Sequence, residues 1–78
     1  MSPADAATEK LLDEMIAAQR RRLLELAARI QPGVSADDLF QPHDHPALAG
    51  NPQFNFEDGI LAGYLAVRAA LRASRASR

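Results

Sequence analysis

Residues 32–56, PGVSADDLFQPHDHPALAGNPQFNF, decide how this chain is read. The segment holds four of the five prolines, both histidines and all three phenylalanines of a 78-residue chain, and it separates two long stretches that read as helix. A solvated spacer is rich in glycine and serine or in charge. Val34, Leu39, Phe40, Leu48, Phe54 and Phe56 make sense only if the segment folds back on its flanking helices. It reads as an ordered cover.

Working outward, the sequence can be followed as helix starts and stops. Ser2-Pro3-Ala4-Asp5 places a serine at an N-cap, a proline at the first helical position and a carboxylate where it can reach back to the cap. Nothing interrupts the helix until Gln31, which Pro32 disfavours as helical, and Gly33 follows at once. The expected first helix covers about residues 3–31. Within the connector, expected over 32–55, Ser35 and Asp38 form a capping box while Val34 and Leu39 sit at hydrophobic-staple positions. Pro42 ends that turn. A further turn from Pro46 to Ala49 is expected to start at Asp44 and stop at Gly50, and Asn51-Pro52 reads as extended or turn. Asn55-Phe56-Glu57-Asp58 reads as the start of the second long helix, expected over about 56–74 with a frayed tail at 75–78.

Charge is uneven along the chain although the formal total is −1. Residues 1–31 balance five acids with five bases, residues 32–58 carry five acids alone and residues 59–78 four arginines alone. Acids at the start and arginines at the end of the last helix complement its macrodipole, so the asymmetry implies no ligand.

Leu12, Ile16, Gln19, Leu23, Leu26 and Ile30 repeat at alternating spacings of 4 and 3, the pattern of a coiled-coil seam. Leu11, Met15 and Ala18 widen the stripe on one side, and Leu24 and Ala27 farther along, so a bundle suits it better than a two-stranded coil. In the last helix Ile60, Tyr64, Val67 and Leu71 supply bulk. Gly59, Gly63, Ala66, Ala70 and Ala73 form a second row with almost no side chain, which permits close approach of another helix. Glycine inside a helix costs about 1 kcal/mol relative to alanine, so two of them one turn apart need a packing reason.

These readings give an all-α fold: a single domain in which two long helices form a hairpin joined by an ordered proline-rich connector with one or two short helical turns. Two amphipathic helices cannot enclose each other's apolar stripes. With no cysteine to staple so small a domain, dimerisation into a four-helix bundle is the expected remedy. Leu12, Ile16, Gln19, Leu23, Leu26, Gly59, Gly63, Ala66 and Ala70 are the expected interface. Gln19 would fix its register, and Gln19→Leu is then expected to raise stability and broaden the oligomer distribution. No signal peptide or membrane span is expected, so a cytoplasmic location is.

Chemistry is sparse. His43-Asp44-His45 is the one cluster with metal-ligand character, since imidazoles at i and i+2 of an extended segment project to one side. A closed site needs ligands from elsewhere, and a proline-stiffened turn explains the cluster more simply. No cofactor is expected beyond that weak case for a divalent metal. Arg68, Arg72 and Arg75 line one helix face and are the candidates for anion contact, but no aromatic interleaving supports base stacking, so nucleic acid is not an expected partner. No nucleophile elbow or phosphate-binding glycine loop is present, and independent catalysis is not expected. The leading expectation is a non-catalytic protein–protein interaction module, an accessory, assembly or regulatory subunit that dimerises or joins a larger partner. Phe40, Pro52, Phe54 and Phe56 are its expected partner-facing surface. A metal- or pH-responsive regulator using His43 and His45 is the alternative, and nucleic-acid binding through the arginine face the third.

Overall fold

The computed structural model describes residues 3–77, and among these there is no strand. Helix α1 spans Pro3–Ile30. Its expected cap, Ser2, lies outside the described residues. The stop falls where proline and glycine put it: Gln31 N–H still donates to the Ala27 carbonyl at 2.7 Å, and Gly33 then takes φ +91°. That is the left-handed backbone which ends helices and which only glycine adopts without cost.

The connector makes two 3-10 turns, Asp37–Phe40 and Pro42–Asp44, and then the single-turn helix α2, Pro46–Ala49. Ser35 and Asp38 close a local box, with the Ser35 N–H donating to Asp38 Oδ2 at 2.8 Å and the Ser35 hydroxyl to the same oxygen at 3.1 Å. Those bonds, the backbone one first, hold the Asp38 carboxyl below its usual range. Two expected boundaries change. His45 rather than Asp44 occupies the position before α2, without a side-chain cap. Helix α3 begins at Pro52 and runs to Ala76, so Asn55 is not its start. Asn51 has the extended backbone of an N-cap, its Oδ1 accepts the Phe54 N–H at 2.9 Å, and Pro52 fills the first helical position, where a missing N–H costs nothing. Glu57 and Asp58 consequently lie in the second turn of α3 and not at its charged end.

Helices α1 and α3 run antiparallel. Glu9 meets Arg72 and Arg75, Asp13 meets Arg68, and Gln19 meets Glu57, so early residues of one helix face late residues of the other. The result is a rod with principal extents of 44 × 19 × 19 Å.

The core gathers at the connector end, where Leu23, Leu26 and Ala27 of α1 pack with Leu48 of α2 and Phe54 of α3. Phe54 and Leu48 are both 0% exposed. Ile30, Val34, Leu39 and Leu61 pack around this cluster, so Val34, Leu39 and Leu48 make the connector a cover, whereas Phe40 and Phe56, expected to fold back with them, stand exposed. Phe54 is therefore corrected from partner-facing residue to core anchor. The seam residues Leu12, Ile16, Gln19, Leu23 and Leu26 are also buried within one chain. They hold the hairpin together and are not the surface it offers to others.

Candidate functional site

Toward the open end of the hairpin the inter-helix contact is ionic. The Arg72 guanidinium donates to Glu9 Oε1 at 3.0 Å, Arg75 donates to Glu9 Oε2, and Arg68 donates to Asp13 Oδ1 at 3.1 Å. The two guanidiniums, Arg75 first, pull the Glu9 carboxyl down to about 2. Arg68, Arg72 and Arg75, the expected anion contacts, thus already have carboxylate partners from α1. An external anion would have to displace Glu9 or Asp13.

One polar pair sits midway along the hairpin. Gln19 is buried, and its amide donates to the Glu57 carbonyl at 2.8 Å and to Glu57 Oε2 at 2.7 Å. Arg22 approaches the other carboxylate oxygen at 4.0 Å from a largely exposed position. Gln19 sets the register between the two helices of one chain, so its partner is not a second Gln19 across a dimer axis.

The histidines separate. His43 is exposed and faces only its neighbour Asp44, with Nε2 at 3.5 Å from Oδ1. His45 is tucked under the connector, where the Gln31 amide donates to Nδ1 at 2.8 Å. That leaves the ring proton on Nε2, which faces Asp38 Oδ1 at 3.6 Å. His45 therefore ties the end of α1 to both 3-10 turns. Nδ1 is engaged by Gln31, and among the described residues no three His, Asp or Glu side chains converge as metal ligands.

Two surfaces remain, one on each flank of the helix pair. On the first flank, α1, α3 and the connector enclose a groove of about 460 Å³ whose walls include Leu24, Leu39, Phe40, Leu61 and Leu65. Its charged lips are Arg20 and Arg21 on α1 and Asp58 on α3. Phe40, one of the expected partner-facing residues, stands 73% exposed at the connector end.

The second flank is also apolar. At about 100° per residue, Leu11 and Met15 lie on the side of α1 away from the groove, and Phe56, Gly63 and Val67 on the matching side of α3. These carry the other four exposed large hydrophobic side chains among the described residues, at 58% for Leu11, 39% for Met15, 67% for Phe56 and 52% for Val67. Gly59, Gly63, Ala66 and Ala70 are exposed beside them. An added Cβ at Gly59 or Gly63 would meet nothing within 4 Å, so the small-residue row makes no close approach inside one chain. Pro52 is likewise exposed, at the head of α3.

No protein-family model matches the chain, and no curated protein or solved structure is significantly similar to it. No described helix is long and apolar enough to cross a membrane.

Proposed function

We propose that the chain is a non-catalytic association module whose unit of function is a pair of hairpins closed into a four-helix bundle. The single observation that carries this reading is the second flank, where four large hydrophobic side chains stand in solvent beside a glycine and alanine row. Residues 59–67 of α3, GILAGYLAV, contain no charge, although roughly half of that helical surface faces water in one chain. Solvent-facing helix surfaces of stable monomers are ordinarily polar.

A second copy suits the surface for three reasons. The α3 part of the surface, residues 59–67, lacks charge, so what packs against it should lack charge as well, while Arg22 stands exposed on the α1 part. The surface alternates bulky Leu11, Met15, Phe56 and Val67 with small Gly59, Gly63 and Ala70, which lets a two-fold axis set knobs against gaps. One long side of the rod measures 44 by 19 Å, comparable with the roughly 800 Å² per partner of a standard interface. The interface differs from the one the seam suggests, because the seam is consumed inside the hairpin. Metal or pH response through His43 and His45 has no comparable support, and neither has nucleic-acid binding.

Val67→Glu tests the reading. Val67 is half exposed, so the hairpin tolerates the change, and a carboxylate on the two-fold surface meets its own copy. Sedimentation velocity should show the wild type as a dimer and Val67→Glu as a folded monomer with unchanged helix content. A wild type that sediments as a monomer at high concentration refutes the proposal, as does a variant that remains dimeric.

A further inference from the structure

We infer that the groove on the first flank is a docking site for an amphipathic helix of another protein, with acidic residues along one side of its apolar stripe. It lies on the opposite side of the hairpin from the surface assigned to self-association, so it goes beyond that reading and does not depend on it.

The chemistry of the groove selects the occupant. Its floor is apolar and its volume of about 460 Å³ falls within the range of true binding pockets, ~300–1,000 Å³. Its lips carry opposite signs. Arg20 and Arg21 on α1 have no ion pair among the described residues, whereas every arginine of α3 within them has an α1 carboxylate. Asp58, on the α3 lip, has no ion pair either. A fatty acid or other single-headed amphiphile would meet Arg20 and Arg21 but leave Asp58 facing apolar material. A helix can answer both lips, with acids on one flank of its apolar stripe and a base on the other.

Length agrees with this. The α3 wall runs from Asp58 to Leu65, about 10 Å at 1.5 Å per residue, which is the span of anchors at i, i+4 and i+7 on a docked helix. Phe40, already exposed and held by the turn that Ser35 and Asp38 close, would lie over the last anchor. Such preorganised aromatic side chains are the usual centres of binding energy.

The test uses a fluorescently labelled helical peptide of about four turns, with leucines at i, i+4 and i+7, glutamates on one flank and lysines on the other. Its control carries lysine at every glutamate position. Anisotropy is read at low ionic strength against the full chain and against the Val67→Glu variant. Both proteins should bind the acid-flanked peptide saturably and the all-lysine control at least about tenfold more weakly. Arg20→Glu/Arg21→Glu should weaken binding by about tenfold, because two attractions become repulsions at exposed sites. Phe40→Ala should weaken it by a similar factor, and Ala62→Arg, which crowds the groove wall from an exposed position, should abolish it. Absence of saturable binding, equal binding of the two peptides, or indifference to the groove variants overturns the inference. Dodecanoate binding that requires Arg20 and Arg21 while the peptide fails to bind would overturn it in favour of a lipid-like ligand. Because Val67→Glu carries an intact groove, failure of self-association leaves the peptide result unaffected, and the reverse also holds.

Discussion

Gln19→Leu is the substitution on which a reading from the seam alone and a reading from the structure disagree in sign. A polar residue in an apolar seam invites replacement by leucine, with a gain from burial. In the folded hairpin, however, the Gln19 amide donates to both the carbonyl and the carboxylate of Glu57, at 2.8 and 2.7 Å, and the Glu57 side chain is only 13% exposed. Leucine would leave that carboxylate with Arg22 alone, 4.0 Å away on a flexible exposed side chain. Losing a hydrogen bond to a charged group costs about 1.5–3 kcal/mol, against which the added apolar burial returns roughly 1 kcal/mol. The net expectation is a loss of about 1 kcal/mol, or ~4–8 °C in Tm for a domain of this size. Thermal and urea unfolding by circular dichroism measures it. The double variant Gln19→Leu/Glu57→Leu should recover most of the loss, because removing both partners leaves no stranded charge. A single variant as stable as the wild type or more so would refute the register role assigned to this pair.

Further expectations rest on other contacts. Phe54→Ala removes a fully buried ring shared by α1, α2 and α3, and a loss of about 3–5 kcal/mol, most of the stability of a small domain, should appear as a low or missing thermal transition. Asn51→Ala should cost about 1 kcal/mol because the side chain caps α3 through the Phe54 N–H, and Asn55→Ala should cost less; the reverse order by urea titration would place the start of α3 where Asn55 lies. Glu9 is held at about 2 in the folded chain by Arg75 and Arg72. An unfolded glutamate ionises near pH ~4.3, so the contribution of Glu9 is complete above that value and is lost as pH falls toward 2. The Tm difference between wild type and Glu9→Gln should therefore be present at neutral pH and vanish in acid, and a constant difference would contradict the assignment.

Much of the hairpin is legible in the residues themselves. Proline, glycine and the Ser35–Asp38 box mark the stops and turns through local backbone chemistry, and the 4-3 repeat of α1 names Leu12, Ile16, Gln19, Leu23 and Leu26, all of them buried, with Ile30 at its end half-buried. What escapes local reading has local causes. Starting α3 at Asn55 leaves Phe54 in the connector and Phe56 at the first helical position, so the two rings are not read as opposite faces of one helix. Starting it at Pro52 sets them about 200° apart on one helix, with Phe54 falling into the same stripe as Glu57, Leu61, Tyr64 and Arg68 and Phe56 turned outward. That stripe, continued through Leu71 and Arg75, was a signal in the sequence for which face meets α1. The ionic end was also visible in part. Glu9 and Asp13 are four apart on α1, as Arg68 and Arg72 are on α3, and the two ladders match once the helices are antiparallel. Their partnership spans 55 to 63 residues of chain, a distance at which spacing rules within a helix say nothing. The groove could not be read in advance, because it depends on where the connector lies across the flank of the helix pair.

Central to the proposed association is that one hairpin is incomplete. Sedimentation equilibrium of the intact chain across a wide concentration range tests it most directly. The account predicts a monomer–dimer equilibrium half-associated at or below roughly 10 µM, shifted to monomer by Val67→Glu. A single species with the mass of one chain at every concentration, unfolding cooperatively, would contradict it.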